Sequence, residues 1–442
     1  MVTIWIHPEK LQEYTEENAM LECVGLRKSI GRVVVINAGT MLSGDLDQPV
    51  LDADTIAIQD GMIESVGRRA DCNFERAHQV IDARGAAVFP GLIDSHVHPT
   101  LGEWSPRADH HTWITHCLHG GVTQMVSAGE VHVPGRPVDR LGVKSLAIAV
   151  QRSFANHRPG GVKLIAGAPL LEEGLEREDI EELARAGVTL LGEVGIGSLR
   201  DTRRARELVQ VARENGMKSL THTGGPSIPD SRLMDAEAVL EIDPDIIGHV
   251  NGGHTALPHR QIRCLCEGCG RGLEIVHNGN EFAALYALRT AREMGQLRRV
   301  ILGTDSPAGT GVPALGMLRL VALLSSFGEL PAEQAFCLAT GNTARQRGLE
   351  GGFIAPGKPA DLVIADRPQG SAGRTLLESV QLGDLPGIGL VMIDGVVLVH
   401  PSRNTPPAAT VPEIMEPKRD SVPMAGTRER VDLRAPPLEH VF

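Results

Sequence analysis

Cysteine, basic charge and long apolar runs are all scarce in this sequence. Its 442 residues include seven cysteines without the regular short spacing of a disulfide scaffold, so we expect reduced thiols and a cytoplasmic location. The 43 basic residues are outnumbered by 55 acidic ones, and the net charge of −12 argues against a nucleic-acid partner. No apolar run approaches the length that spans a bilayer, so we expect no membrane partner. Small molecules are the expected substrates.

The length and composition indicate a folded protein of two units. Hydrophobic residues make up 42% of the chain and charged residues 22%, which is typical of a protein that buries a large core. A barrel of about 250 residues with a satellite domain would account for most of this length. The first residues are interrupted by Pro8 and then become acidic, so we expect no secretory signal there.

Short β-rich runs alternate with helix-like segments through the middle of the chain. Segments such as EREDIEELARAG and DTRRARELVQVARENG carry apolar residues at helical spacing, with acidic residues near the predicted helix start. The candidate strands cover residues 87–96, 121–129, 162–168, 188–195, 217–224, 245–252, 272–279 and 298–309. Eight strand–helix repeats predict an α/β fold with a catalytic (β/α)8, or TIM-like, barrel over residues 89–351.

The regions on either side of the predicted barrel are rich in short strands and turns. Residues 32–88 and 352–402 share this pattern, which predicts one small β-sandwich domain built from both chain ends. We interpret residues 1–31 as an N-terminal extension. Residues 403–442 contain several prolines and no periodicity, so we expect an extended C-terminal tail that is disordered or wraps a neighbouring subunit.

Six polar side chains stand at the carboxyl ends of five candidate strands, where the chemistry of such barrels takes place. His96 and His98 are two residues apart on the first strand, so both side chains point to the same face. An isolated pair of this kind is a weak signal, but donors on four other strands are expected to converge on the same mouth. The predicted metal ligands are His96, His98, Glu193, His222, His249 and Asp305.

Six ligands are too many for one four-coordinate catalytic ion and suit two divalent ions that share a carboxylate and a water. Glu193, on the fourth strand, is the predicted bridge. The ions would make hydroxide available near neutral pH and polarise a carbonyl oxygen. Asp305 can contact an ion and still reach the shared water, as a general base must, and the alternative is a capping role before Ser306 and Pro307.

Several motifs resemble those of the amidohydrolase superfamily over residues 32–400. They are VFPGLIDSHVH, the strand-end His222 and His249, GTD and APGKPADLVIAD. Most dihydroorotase-like members bridge their ions with a carboxylated lysine, whereas the fourth strand here offers Glu193, and Lys163 lies one strand earlier. The glutamate in GEVGIG, with THTGG, GHVNGG and TDSPAGTGVPALGMLR, resembles the branch of the superfamily that hydrolyses a cyclic enamide.

This resemblance implies a binuclear site with Zn²⁺ and/or Fe²⁺ and a homotetramer. It implies that a metal-bridging hydroxide opens a tetrahydro-6-oxonicotinate lactam, with protonated Asp305 releasing the ring nitrogen. Carried over to this sequence, it places one ion among His96, His98, Glu193 and Asp305, and the other among Glu193, His222 and His249.

Four polar residues near the predicted mouth are candidates for contact with the substrate or its transition state. His132 is a candidate for orienting the substrate or stabilising the oxyanion, and packing within its loop is the alternative. Arg107 suits a substrate carboxylate, with a surface ion pair as the alternative. Asn251 and Asn280 are potential donors to the substrate, but asparagine beside glycine also occurs in ordinary turns.

Two further histidines and a cysteine cluster complete the candidates. His254 and His277 lie near the predicted mouth and depart from the pattern of the resembling branch, so they bear on the substrate rather than the reaction type. Cys264, Cys266 and Cys269 invite a structural zinc site, but only two of them can face one side of a helix and no partner pair is evident. We interpret them as ordinary helix cysteines.

Three functions are compatible with these features. The preferred one is ring opening of a cyclic amide or enamide. A cyclic imide or hydantoin hydrolase, or a deaminase, is the alternative within the enzyme class, because the same activated water serves each reaction. A non-catalytic metal-binding scaffold is disfavoured, because all six ligands and the base are present.

Overall fold

The structure is a computed structural model that describes residue 29 and residues 31–71, 77–99, 110–131, 135–226, 231–253, 255–307 and 311–415. This part of the chain contains four β-sheets and mixed helical and strand segments. Its helices are all too short or too polar to cross a membrane.

Seven short strands precede the central part of the chain. They are β1 (Arg32–Ile36), β2 (Thr40–Leu42), β3 (Val50–Leu51), β4 (Thr55–Gln59), β5 (Met62–Gly67), β6 (Ala77–Asp82) and β7 (Ala87–Pro90). β-Branched residues such as those of RVVVI favour extended backbone and are buried in β1. These strands contribute to two different sheets.

Eight parallel strands follow in two sheets of three and five strands. They are β8 (Leu92–Val97), β9 (Val122–Ser127), β10 (Lys163–Ile165), β11 (Leu190–Val194), β12 (Lys218–Thr221), β13 (Ile246–Ile247), β14 (Gly272–Val276) and β15 (Val300–Gly303). Backbone hydrogen bonds also connect the two sheets at both of their edges. His98 N, after β8, donates to Ser306 O, after β15, over 2.8 Å, and Gly192 N on β11 donates to Pro169 O, after β10, over 2.9 Å.

Helices connect and follow these strands, as parallel pairing requires crossover connections. They are α1 (His110–His119), α2 (Arg140–Ala155), α3 (Arg177–Arg185), α4 (Thr202–Glu214), α5 (Ala236–Ile242), α6 (His259–Gly268), α7 (Glu281–Glu293), α8 (Gly316–Ser326), α9 (Ala332–Cys337) and α10 (Thr343–Arg347). In α4, the side chain of Asp201 caps the first turn, and Ala205, Leu208 and Ala212 are buried on one face. The largest core lies between these helices and the parallel strands.

The C-terminal segments return to the sheets that the first strands begin. They are β16 (Leu362–Asp366), α11 (Leu376–Gln381), β17 (Gly387–Ile393), β18 (Val396–Val399) and β19 (Glu413–Met415). The strand orders are β19-β6-β1-β4-β5 and β18-β17-β16-β7-β2-β3. One hydrophobic core includes side chains of both sheets, among them Val33, Ile58, Leu362 and Met392. Both ends of the chain therefore build this β-rich region.

Two boundaries differ from those read from the sequence. The candidate strand 87–96 is divided, because Ala87–Pro90 pairs with β16 while the chain from Leu92 onward pairs with β9. Gly91 separates the two parts, and a Cβ there would lie 2.1 Å from Thr123 Oγ1, because the Thr123 side chain packs directly against the Gly91 backbone. The strand Glu413–Met415 pairs with β6, although it falls within the predicted tail.

Candidate metal centre

The six predicted metal ligands lie together at the carboxyl ends of the parallel strands. His96 and Glu193 lie within β8 and β11, and the other four follow the ends of β8, β12, β13 and β15. All six are buried, with exposed fractions that run from 0% for His96 to 8% for Asp305. Strand-end position and burial therefore coincide for every predicted ligand.

The donor atoms form two groups that meet at Glu193. In the first, His98 Nε2 lies 3.2 Å from His96 Nε2 and 3.1 Å from Asp305 Oδ1. In the second, Glu193 Oε1 lies 2.7 Å from His249 Nε2, 3.4 Å from His222 Nδ1 and 3.7 Å from His96 Nε2. The other carboxylate oxygen, Oε2, lies 3.8 Å from His98 Nε2. Glu193 Oε1 therefore faces His249 and His222 of the second group and also lies near His96, whereas Oε2 faces His98 of the first group.

These spacings fit ligands that share an ion. Two ligands that each lie about 2.1 Å from a tetrahedral zinc ion are separated by about 3.4 Å. The His96–His98 and His98–Asp305 distances of 3.2 and 3.1 Å are close to this value, as is the His222–Glu193 distance of 3.4 Å. The chemistry of the donor set, imidazole and carboxylate, suits borderline divalent ions.

Three of the four histidines have a hydrogen-bond partner for the ring nitrogen that faces away from the cluster. His96 Nδ1 lies 2.6 Å from Glu274 Oε2, and His98 Nδ1 lies 2.9 Å from the carbonyl oxygen of Gly129. His222 Nε2 lies 2.8 Å from the carbonyl oxygen of Gly225. An N–H that donates to these oxygens leaves the other nitrogen unprotonated, which is the form that binds metal.

The buried carboxylates make this region favourable for positive charge. Burial lowers the pKa of His249, but the hydrogen bond to Glu193 and the charges of Glu193, Asp305 and Glu274 together outweigh burial and raise that pKa to about 9. Burial raises the pKa of Asp305, yet the charges of His96 and His98 lower it to about 2. The pKa of Glu193 is likewise held well below its usual range, against the effect of burial, by hydrogen bonds from histidines. Bound divalent ions would likewise compensate the negative charge of these carboxylates.

The backbone at two ligands is held in an uncommon conformation. Asp305 has a φ of +59° and His249 a φ of +24°, values that favour glycine. The Asp305 N–H donates to the His96 carbonyl over 2.9 Å, and Asn278 Nδ2 donates to the Asp305 carbonyl over 2.7 Å. These contacts fix the direction in which the Asp305 side chain leaves the strand end.

Sequence reasoning missed a layer of buried polar residues behind the ligands. Glu274 on β14 contacts His96, and Arg347 at the end of α10 contacts Glu274. Asp94 accepts hydrogen bonds from the backbone and hydroxyl of Thr304, over 2.8 and 2.6 Å. Burial raises the pKa of Asp94 to about 6, although these bonds oppose the rise. A charged residue inside the apolar run GLEIV was the available signal for Glu274.

The structure places the candidate substrate residues in varied roles. Both polar atoms of the Asn251 side chain bond the backbone of Val276, over 2.9 Å each. Asn280 caps α7 through a 2.9 Å bond from the backbone N–H of Ala283. Burial lowers the pKa of His277, which follows β14. Arg107, His132 and His254 lie outside the described residues.

Lys163 and the cysteine cluster take no part in the ligand groups. Lys163 Nζ lies 2.8 Å from Asp361 Oδ2 and 2.7 Å from Asp394 Oδ1, so it joins β10 to the flanking sheets. Within the described ranges, no cysteine belongs to a group that could hold a metal ion. Cys264 is exposed and Cys266 is buried in α6.

Comparison with known proteins gives consistent matches. The sequence profile of the amidohydrolase family (Amidohydro_3) matches residues 162–399. An enamidase of Eubacterium barkeri is 43% identical over 386 residues, which cover 87% of this chain and 100% of that protein. An adenine deaminase of Deinococcus deserti is 27% identical over 372 residues, which cover 78% of this chain and 60% of that protein.

Solved structures agree with these relationships. A crystal structure of an enamidase superposes with a TM-score of 0.83 at 43% identity and covers 87% of this chain and all of that chain. A putative prolidase from Bifidobacterium longum has a TM-score of 0.56 at 20% identity, covering 86% of this chain and 97% of that chain. The second likeness concerns the fold alone.

Proposed function

Because this chain belongs to the amidohydrolase family, we propose that it is a metal-dependent hydrolase of C–N bonds that opens a cyclic amide or enamide ring. The observation that carries this proposal is the cluster of six buried candidate ligands at the strand ends. Five of them form two overlapping groups that could hold a metal ion, and His222 joins them through its contact with Glu193. The chain is 43% identical to an enamidase along the full length of that protein, which supports an enamidase-like activity.

We assign the ligands to two divalent ions. His96, His98, Glu193 and Asp305 would hold one ion, and Glu193, His222 and His249 the other. The spacing of about 3–4 Å between donors within each group supports this assignment. When bound, the ions would supply Lewis-acid activation of a water and of the ring carbonyl.

Asp305 is the proposed general base and acid. Its Oδ1 lies 3.1 Å from His98 Nε2 and 3.6 Å from His96 Nε2, and its backbone is fixed by His96 and Asn278. It accepts a proton from the attacking water at Oδ1 or Oδ2 while the water oxygen bonds to the ring carbonyl carbon. The protonated carboxyl then donates that proton to the ring nitrogen as the C–N bond breaks, which leaves an amine or enamine and a ring-opened carboxylic acid that loses its proton to solvent.

Several finer features belong to the same proposal. The hydrogen bonds at both sheet edges support a closed eight-stranded barrel over residues 89–351, and the core shared by the other two sheets supports a β-sandwich built from 32–88 and 352–402, to which β19 adds one more strand. Zinc and/or iron suit the nitrogen and oxygen donors. We also propose a cytoplasmic homotetramer in which Arg107 binds an acidic substituent of the substrate and His132 stabilises the oxyanion.

The proposed function is tested by a screen of cyclic amides on metal-replete protein. The panel includes 6-oxo-tetrahydronicotinate, imides, hydantoins and adenine, and the assay follows loss of ring absorbance and release of ammonium. We expect ring opening of a lactam, with ammonium and aldehyde as final products if the lactam is an enamide. Ammonium released with an intact purine ring would identify a deaminase instead, the activity named for relatives of 27–28% identity.

A further inference from the structure

Glu274 lies at the centre of a buried polar network behind the ligands. It projects from the middle of β14, and its exposed fraction is 0%. Four groups contact its carboxylate. The ring of His96 and the backbone N–H of His249 contact one oxygen, and Ser95 and Arg347 contact the other. The backbone N–H of His249 and the guanidinium of Arg347 can only donate, so each oxygen of Glu274 accepts at least one bond, and the geometry fits the ionised form of Glu274.

One oxygen of Glu274 contacts a ligand from each of the two groups. Oε2 lies 2.6 Å from His96 Nδ1 and 3.3 Å from the backbone N of His249. His249 is the ligand whose φ is +24°, so this bond helps to hold a backbone that would otherwise relax. A single buried oxygen therefore connects the imidazole of one ligand with the backbone of another.

The other oxygen of Glu274 is fixed by a buried cation. Oε1 accepts from Ser95 Oγ over 2.5 Å and from Arg347 Nη2 over 3.1 Å, and Arg347 Nε also bonds Ser95 Oγ over 2.9 Å. Arg347 is 4% exposed, so its charge and that of Glu274 are both removed from water. Such a pair is stable only with good geometry and full hydrogen bonding, which this network provides.

We propose that Glu274 is a positioning residue that prepares both metal sites together. It fixes His96 with Nδ1 protonated and Nε2 directed at the ions, and it anchors the backbone that carries His249. A carboxylate behind a ligating histidine raises the basicity of that ligand and fixes its ring. The inference rests on the proposed binuclear site, and it assigns to one residue a role in the affinity of both ions.

The test is metal affinity, measured by chelator competition on purified full-length protein that has been stripped and reloaded with Zn²⁺ or Co²⁺. We expect Glu274→Gln to weaken binding at both sites by about 10–100-fold and to shift the visible absorption bands of the Co²⁺-loaded protein. The control is Asp361→Asn, which removes the charge of another buried carboxylate whose cationic partner, Lys163, is partly buried. That variant should lose stability but keep its metal affinity and spectrum.

A second variant guards against misfolding, because Glu274→Gln leaves Arg347 without its counter-charge. Glu274→Gln with Arg347→Met removes both charges and should show the same loss of affinity. Wild-type affinity and spectrum in the folded double variant would overturn the inference while leaving the proposed function intact. A wild-type protein that binds no divalent ion would overturn both, and loss of only the His96 ion would refute the role at His249.

Discussion

Three histidines of this site make hydrogen bonds on the side of the ring that faces away from the cluster. His96, His98 and His222 each place one nitrogen against an oxygen of the protein, which leaves the other nitrogen able to bind an ion. Two of these partners are backbone carbonyls and one is a carboxylate. The ligands are therefore set in position by the fold before any ion binds, which limits the entropy lost on binding.

Asp305→Asn should retain both ions but lose turnover. The amide keeps an oxygen donor and three other ligands remain around that ion, whereas the proton-transfer role of the carboxylate is lost. We expect kcat to fall by about 10²–10⁴-fold, measured by ammonium release with metal content determined on the same sample. Activity close to wild type would remove Asp305 from the proton-transfer step.

His222→Ala should reduce the metal content from two ions to one. His222 contacts Glu193 through Nδ1 over 3.4 Å and the ring of His249 at a centroid distance of 4.7 Å, so we expect its loss to affect the second group and to leave His96, His98 and Asp305 unchanged. Elemental analysis after dialysis against a weak chelator measures the stoichiometry. His277→Ala is the matched control, because His277 also follows a parallel strand but belongs to neither ligand group. Two ions retained in the His222 variant would disprove the assignment.

At the scale of elements, the partly buried carboxylate of Asp245 joins neighbouring strands and a helix. Asp245 precedes β13 and accepts from the backbone N–H and hydroxyl of Ser219 on β12, over 3.0 and 2.8 Å. Arg213 of α4 bonds the other carboxylate oxygen over 2.9 Å. Burial raises the pKa of Asp245, but these bonds outweigh burial and lower it. One side chain thus connects two strands and a helix.

Asp245→Asn should destabilise the protein at neutral pH and much less in acid. Because the pKa is lowered in the folded state, the carboxylate contributes stability above its unfolded-state pKa of about 3.9 and loses it as pH falls through the folded-state pKa. We expect a loss of about 2 kcal/mol at pH 7 that shrinks below about pH 4. Urea unfolding at several pH values measures it, with the exposed Asp52→Asn as control. A difference independent of pH would contradict this account.

The sequence predicted some helices and strands more accurately than others. The run DTRRARELVQVARENG predicts a helix, and α4 spans Thr202–Glu214 with its apolar residues buried. The run AVFPGLI predicts one strand because it has no polar side chain, but it contributes to two sheets. Continuous burial leaves no local sign of which sheet a strand joins, and the change of sheet falls at Gly91, which packs closely against Thr123.

At the scale of the whole molecule, one charged network connects the parallel strands to the flanking sheets. Lys163 on β10 bonds Asp361, which precedes β16, and Asp394, which follows β17. Arg158 bonds the other oxygen of Asp394 over 2.7 Å. Both carboxylates are almost fully buried, with side-chain exposures of 4% and 5%. Removing the shared cation would leave two buried charges poorly compensated.

Lys163→Met should therefore destabilise the folded chain by about 3–5 kcal/mol, as expected when one partner of a buried ion pair is removed. Denaturant unfolding of the metal-loaded protein measures the change, and the metal content of the folded fraction should stay at two. Arg203→Met is the control, since Arg203 is 86% exposed and pairs with Glu241 over 3.5 Å, so little change is expected. Wild-type stability in the Lys163 variant would show that the network contributes nothing to stability.

The sequence by itself determined which side chains could bind metal and which face they share, because strand periodicity is local and the strand ends of a parallel fold meet at one edge. The six proposed ligands were selected in this way, and the structure brings them together. The tertiary structure alone decided what supports them: Glu274 contacts His96 across 178 positions of sequence, and Arg347 contacts Ser95 across 252. It also engaged both polar atoms of Asn251 with the backbone. Contacts between buried polar groups far apart in sequence depend on how whole elements pack, and no local pattern records that.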